Sequence, residues 1–267
     1  IGMGCFLDLT RMAAAEEGLA TETTLFPDGE DGPVARLTLT DGGTPDPLFV
    51  HALNRRSHKE SFDTRPVGTE AQPLAAHASL FLDGPDRDAL RDQALEAWLT
   101  EAATPAAWQE SIDLLRIGKA EIIAQPDGID AGGPMLETLA LLGLFTRDAA
   151  SDLNNPGTRD AIDSTASAIR AAPAITLTIT PGNTRQDQIE AGRQWLRLNL
   201  AATGAGLALR PVSQALQEYA EVLPIRQALH DRFARQGETV QMLGLLGYGQ
   251  RTPRTPRWPL ETRLRNA

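Results

Sequence analysis

The chain has 267 residues, 42% of them apolar and 22% charged, with a formal net charge of −10. That length supports a core without disulfides or metal, the composition excludes a disordered or collagen-like polymer, and the acidity argues against general nucleic-acid binding. The single cysteine, Cys5, excludes an internal disulfide and a multi-cysteine zinc site, and the four histidines (His51, His58, His77, His230) lack the His-Glu-x-x-His spacing of a zinc hydrolase.

The chain opens Ile1-Gly2-Met3-Gly4 and enters a helical pattern at once. We read this as a start inside a longer chain. No 18-residue apolar run predicts a membrane span, and no basic-then-apolar leader is present. The residues fix no compartment; the cytoplasm is the default, and export applies if a preceding segment carries a signal. Phe6, Leu9, Met12 and Ala13 recur at helical spacing, with Gly18 as the stop. Residues 34–40 alternate as a half-buried strand, Ala35, Leu37 and Leu39 opposite Arg36, Thr38 and Thr40. Asp46-Pro47 predicts a helix start, running through Leu48, Phe49 and Leu53 into Arg55-Arg56.

Residues 86–99 predict a helix burying Leu90, Ala94 and Trp98, and Thr104-Pro105 starts another through Trp108, Ile112 and Leu115. Residues 125–134 form a Gly/Pro/Asp loop, 135–145 a short buried helix, and Asn154-Asn155-Pro156-Gly157 a turn. Ile175, Leu177 and Ile179 alternate with threonines in a strand over 173–180. A long helix follows over 183–202, then a short strand over 207–212 and a helix over 224–236. An apolar central strand covers 239–248, and an extended proline-rich segment begins at Gln250. Helices outnumber strands without regular βαβ alternation, which predicts an α+β fold.

Chemical motifs are sparse. Gly204-Ala205-Gly206 follows a helix and lacks the third glycine of a dinucleotide fingerprint, so it reads as a helix stop. No nucleophile elbow or phosphate loop occurs, and Cys5 reads as a buried structural thiol. From Arg185 onward, 12 arginines and no lysine face 7 acids, whereas the preceding 184 residues carry 13 basic and 28 acidic groups. A locally basic region of this kind can hold one anionic ligand. The strongest cluster is Arg55-Arg56-Ser57-His58-Lys59, where guanidiniums, a hydroxyl and an ammonium lie within five residues. The second is the proline-held segment with Arg251, Arg254 and Arg257, and the third is 206–214, ending in Ser213-Gln214.

In this order the three segments resemble the nitroreductase family of flavoproteins. Residues 55–63 followed by Pro66-Val67 look like its opening R-x-S-x-[RK] motif. Residues 190–208 look like its central helix and following turn, and 242–248 with 255–261 look like its last strand and C-terminal arm. The resemblance covers about residues 46–261. It is closest to the two-half, Acg-like subfamily, in which two nitroreductase-like halves share one chain. Residues 1–45 would then be the remainder of a first half and 46–267 the second half.

The resemblance implies an α+β nitroreductase-like fold, a central, mostly antiparallel sheet flanked by helices, with FMN at an interface of halves or subunits. It implies that Arg55, Ser57 and Lys59 contact the FMN phosphate or the pyrimidine edge of its ring. Ser213 and Gln214 would lie beside flavin N5, and Arg254 or Arg257 would reach the phosphate. The implied activity is NAD(P)H-driven reduction of a nitroaromatic, a quinone or a similar small-molecule acceptor, with no protein nucleophile. The alternative is a non-catalytic protein that sequesters FMN beneath a lid formed by 125–134 or 135–145. A homodimer or an intrachain pseudo-dimer is expected, with no nucleic-acid or membrane partner.

Overall fold

The computed structural model describes residues 1–264. Helix α1 (Gly2–Glu16) ends at Gly18, whose φ of +77° suits glycine at a helix exit. Strands β1 (Leu19–Leu25) and β2 (Ala35–Asp41) then pair antiparallel as a separate hairpin. The strand expected over 34–40 is there, but only its first half is partly covered: Leu39 is exposed, because nothing packs on the hairpin's outer end.

The helix expected from Asp46 to Arg56 does not form. Only a 3-10 turn at Phe49–His51 appears. Asp46 does accept from the Leu48 N–H (3.1 Å), but its other carboxylate oxygen is held by Arg11 and Arg197. Beyond the turn the chain is drawn into sheet pairing, which a helix would forbid. A second 3-10 segment at Thr69–Ala76 leads to β3 (Ser79–Phe81).

Helix α2 (Gly84–Ala103) buries Leu90 and Ala94 as predicted, and α3 (Pro105–Asp113) starts at the proline after Thr104. Leu115 lies outside α3, in β4 (Leu115–Ile117), which pairs parallel with β5 (Ile129–Ala131) across α4 (Gly118–Ala124). Helix α5 (Pro134–Leu141) is not buried: Met135, Leu141, Leu142 and Leu144 are exposed, so the apolar run at 135–145 lies on the surface. After α6 (Arg147–Ser151), the expected turn at 154–157 proves to be a helix start. The Asn155 side chain accepts from the Gly157 and Thr158 N–H groups and Pro156 opens α7 (Pro156–Ala171).

Strand β6 (Ala174–Thr180), helix α8 (Arg185–Gly204), strand β7 (Ala208–Pro211), helix α9 (Leu223–Phe233) and strand β8 (Thr239–Gly247) complete the chain's regular elements. The main sheet has the order β3-β6-β8-β7 and every neighbouring pair is antiparallel. Strands β6 and β8 are its adjacent middle strands, and threonines 176, 178 and 180 are as buried as Ile175 and Leu177 beside them. The sheet is covered on both faces: α2, α7 and α9 supply one core with Leu177, Leu243 and Leu245. Helix α8 supplies the other through Trp195, Leu198 and Ala202 against Leu209 and Leu246. This is the α+β architecture that the element pattern predicts, with the helix-flanked antiparallel sheet that the resemblance implies.

Helix α1 crosses α8 where both carry glycine. A Cβ on Gly4 would stand 1.9 Å from the Ile189 oxygen, and one on Gly192 2.0 Å from the Ile1 oxygen. One turn further along, Asp8 meets Arg197 (3.0 Å) and Arg11 (2.9 Å), and Arg197 and Arg11 both reach Asp46. Residues 1–16 therefore share the core of the rest of the chain, with Met12 packed on Leu196 and Leu200.

Candidate functional site

The arginine-rich segments meet. Ser57 forms a parallel bridge with Leu209, and the His58 N–H donates to the Leu209 oxygen at 2.9 Å. Asp63 pairs with Tyr248 just past β8. The stretch from 55 to 63 is thus stitched between the free edge of β7 and the end of β8. From below, the buried Asn199 of α8 donates its amide to the Arg56 oxygen at 3.3 Å. A groove of about 320 Å³ opens here, lined by His51, Asn54, Arg56, His58, Ala208 and Arg251 among others.

Arg56 and Arg251 line the groove, and Arg55, Arg254 and Arg257 stand close enough for their charges to act on Arg56. Arg56 Nε donates to the Thr252 oxygen (3.1 Å), Arg251 Nη2 to Asn54 Oδ1 (2.8 Å) and Arg254 Nη2 to the Leu53 oxygen (2.8 Å). These bonds tie 251–254 to 53–56 through neutral acceptors. Arg257 bonds only within its own turn, to the Thr255 hydroxyl and the Thr255 and Pro256 oxygens. Arg55 is half-buried and its guanidinium makes no hydrogen bond among the described residues. Burial pushes the Arg55 pKa down, Cys5 opposes the shift and Arg257 adds to it. Arg56 is likewise lowered, by desolvation and then by the charges of Arg251, Arg254, Arg55 and Arg257. Among the described residues, ion pairs hold Arg11, Arg197 and ten other arginines, but none of these five. Five guanidiniums brought together without an acid form a positive field that an anion would relieve.

The other expected residues are spread along β7. Lys59 is exposed, and its side chain makes no hydrogen bond or ion pair among the described residues; its backbone oxygen accepts from Arg210 at 2.8 Å. Ser213 and Gln214 sit past the far end of β7, at a 3-10 turn (Gln214–Leu216), about 13 Å from Leu209 at about 3.3 Å per residue. Ser213 is exposed, while Gln214 faces the buried carboxyl of Glu101 together with Gln217 and Ser111. Burial pushes the Glu101 carboxyl up, its Oε2 has no partner, and the Tyr219 hydroxyl beside it has none either. Cys5 is half-buried and its thiol donates to the Gly192 oxygen at 3.0 Å; burial raises its pKa, as a structural thiol requires.

Two larger hollows have their chemistry already spent. The one beside α9, about 610 Å³, is lined by Arg226, paired with Glu218, and by His230. Both ring nitrogens of His230 are engaged, by the Arg226 oxygen and the Val240 N–H. The hollow along α2, about 470 Å³, is a mostly apolar surface between side chains of a single helix.

The sequence motifs single out the arginine segments. They miss Asn54, which binds Arg251, and Asn199, which fixes Arg56 from beneath; a lone asparagine on an apolar helix face is the signal that marks Asn199.

No protein-family model matches the chain, and no curated protein matches its sequence. In structure the chain is similar to a nitroreductase-like family protein from Bacillus cereus, at 13% identity and a TM-score of 0.45, covering 84% of this chain and 97% of that one. It is also similar to the FMN-dependent nitroreductase NfnB from Mycobacterium smegmatis, solved with NADPH, at 16% identity and a TM-score of 0.47, covering 82% and 98%. A third likeness is to an FMN-bound nitroreductase from Bacteroides fragilis, at 12% identity and a TM-score of 0.43, covering 80% and 96%.

Proposed function

We propose that the groove binds FMN with its phosphate on the arginine cluster, in a nitroreductase-like protein that reduces small-molecule acceptors at the expense of NAD(P)H. The observation that carries this reading is the set of five arginines without an acid, built from two segments nearly 200 residues apart, in a chain whose net charge is −10. A strongly acidic protein repels a phosphate unless a local field overrides it. Arg55, whose guanidinium is half-buried and unused, is the first ligand; Arg254 and Arg257 close over the same end. Ser57 and Lys59 would stand along the β7 edge and Ser213 past its far end, while Gln214 is turned toward Glu101 and is the weakest of the expected contacts. When bound, the flavin supplies the redox chemistry, and the protein's part is to hold, orient and shield it. Nitroaromatics and quinones are the acceptor classes.

We further read residues 1–45 as the remainder of a first nitroreductase-like half and 46–267 as the second, in the Acg-like manner, so that α1 occupies on α8 the place of a partner's helix. The glycine-to-glycine crossing at Gly4 and Gly192 supports it. Met3 and Phe6 on α1, and Val50 and Leu53 in and after the 3-10 turn, are exposed apolar side chains that the rest of a first half or a second copy could cover.

One observation favours FMN storage over turnover. Trp258 Nε1 donates to Asp127 at 3.2 Å, tying the 125–134 loop to the residues just past the arginine cluster, as a lid would be tied. NADPH or NADH added to the yellow protein separates the two: bleaching marks an oxidoreductase, an unchanged spectrum a store.

The binding test is fluorescence titration with FMN. A charge-assisted hydrogen bond is worth about 1.5–3 kcal/mol, so Arg55→Ala weakens FMN by roughly 10- to 100-fold. Arg55→Lys restores only part of it, because the planar fork is lost. Arg91→Ala, a surface change at a residue paired with Asp88, leaves affinity unchanged. Equal affinities for the Arg55 and Arg91 variants would remove the assignment.

A further inference from the structure

A second polar cluster lies away from the arginines, under the turn that follows β7. The Val212 N–H donates to the Leu243 oxygen at 2.9 Å, and there the segment leaves the sheet. The 3-10 turn at Gln214–Leu216 is closed by two backbone bonds, from the Leu216 N–H to the Ser213 oxygen (2.9 Å) and from the Gln217 N–H to the Gln214 oxygen (3.3 Å). From α2 it is held in two ways: Ala215 is buried in the core with Leu90, Ala94 and Ala97, and the side chains of Gln214 and Gln217 bond to Glu101. Ser111 of α3 bonds to the same carboxyl.

Glu101 is 4% exposed and sits in the last turn of α2, at the negative end of the helix dipole. No ion pair holds it among the described residues. The charge facing it from α3 is a second acid, Glu110. From the segment before α9 it meets Tyr219, on which Glu221 also acts, while Arg226 of α9 is paired with Glu218 at 3.2 Å. Glu101 Oε2 and the Tyr219 hydroxyl are both buried without a partner. A carboxylate taken out of water without a cation is far costlier than the neutral acid, and the neutral acid gains a donor that the carboxylate lacks. Burial accordingly pushes the Glu101 carboxyl up against the bonds from Gln214, Gln217 and Ser111, and Glu110 adds to the push. Every other shifted carboxyl among the described residues goes down.

We propose that Glu101 is the positioning residue of this turn, a buried neutral acid whose proton lets α2 hold the segment that carries Ser213. Loss of the proton leaves an unpaired anion between α2, α3 and the turn. The turn, closed by two backbone bonds, is the part that gives way. This holds whatever the ligand. Its consequence for the groove rests on the FMN reading above: Gln214 serves the fold rather than the flavin, and a rise in pH withdraws Ser213 from beyond the far end of β7.

Urea unfolding of the wild type and of Glu101→Gln across pH tests it, since glutamine keeps the shape and cannot ionise. A carboxyl raised in the folded state keeps a proton that the unfolded chain loses at about pH 4.3, so wild-type stability falls from there up to the raised value. The gap between the two proteins is smallest near about pH 4 and opens in favour of the variant, by roughly tenfold in folding constant per pH unit, until the wild-type carboxyl has ionised. Protection of the Leu216 and Gln217 amides from hydrogen exchange, relative to unfolded-chain rates, falls over the same range in the wild type and holds in the variant. A merely structural loss would offset the two proteins equally at every pH. Should glutamine unsettle the fold, the wild type alone carries a third readout: an infrared band of un-ionised carboxyl that persists above the pH at which the other carboxyls have ionised. With FMN, wild-type affinity falls relative to Glu101→Gln as the pH rises. A gap that is flat, or that favours the wild type at high pH as a carboxylate held by Gln214, Gln217 and Ser111 would give, overturns the proposal, and so does an absent infrared band. Equal FMN affinities at every pH, with the gap present, overturn the consequence for the groove. A gap of the expected sign in a protein that binds no flavin supports the neutral acid and refutes the FMN reading.

Discussion

Replacing Gly4 by alanine tests how tightly residues 1–16 belong to the rest of the fold. The new Cβ would stand 1.9 Å from the Ile189 oxygen and 3.0 Å from the Gly192 Cα. Both are backbone atoms inside a helix and cannot swing aside. Ordinary contact begins near 3.4 Å, so α1 must back away from α8 by about 1.5 Å. The Asp8–Arg197 pair lies one turn further on at 3.0 Å, and the same retreat stretches it to about 4.5 Å. Asp8 is only 3% exposed in its side chain, so water replaces Arg197 poorly. Overpacking alone costs about 1–3 kcal/mol, and stripping a buried charge of its partner about 3–5 kcal/mol. Arg11 travels with α1 and keeps its 2.9 Å contact to Asp8, so the second cost is incurred only in part and the total is about 2–4 kcal/mol. Urea unfolding followed by the fluorescence of the four tryptophans, Trp195 on α8 among them, reads the change. With a slope of about 3 kcal/mol per molar the midpoint falls by about 1 M. Gly2→Ala is the control, since nothing lies within 4 Å of a Cβ there. A Gly4→Ala midpoint equal to that control refutes the crossing as the structure draws it.

Desolvation pushes the Asp46 carboxyl up, but the Leu48 N–H, Arg197 and Arg11 outweigh it and hold its pKa below the ordinary value. Its stabilisation is therefore complete above about pH 4 and is lost as the pH falls through the lowered folded value; thermal melts of the wild type and Asp46→Asn differ at pH 6 and draw together as the pH falls through that lowered value. Gly249→Ala drives a Cβ to 2.4 Å from the His58 ring, itself packed at 4.8 Å on Phe62. It costs about 1–3 kcal/mol of stability and weakens FMN binding by displacing a groove wall, read by a melt and a flavin titration; unchanged values in both would show that the ring has room to move.

The segments legible in the sequence are those whose pattern and packing agree. Strands β6 and β8 are legible because β-branched and apolar residues fill them, although the threonines of β6 prove buried because the sheet is covered on both faces, and α8 announces itself by its apolar stripe. The helix expected from Asp46 fails for a long-range reason. Its capping carboxylate is shared with arginines 35 residues back and 151 residues ahead, and its last turn is claimed by pairing with Leu209. Helix α7 escapes notice because alanine, serine and threonine dilute its apolar stripe, and Asn155-Pro156 serves equally as turn or helix cap. Apolar content at 135–145 suggests burial, yet no local signal says whether a partner surface exists. At the site, clustered arginines are visible as composition, while Asn199 acquires meaning only when α8 brings it beneath Arg56.

The contacts between 251–254 and 53–56 also set a timetable. Arg56 meets Thr252 across 196 positions, Arg251 meets Asn54 across 197 and Arg254 meets Leu53 across 201. At a synthesis rate of about 5–20 residues per second, Arg55 and Arg56 leave the ribosome about 10–40 s before the residues that complete their cluster. Loop closure over such a span is slow compared with helix or hairpin formation. The groove is therefore the last part of the molecule to be finished. A nascent chain already carrying α1, the hairpin and α2 has no place for an anion until β8 is in the sheet and the arginines behind it have swung back across the first motif.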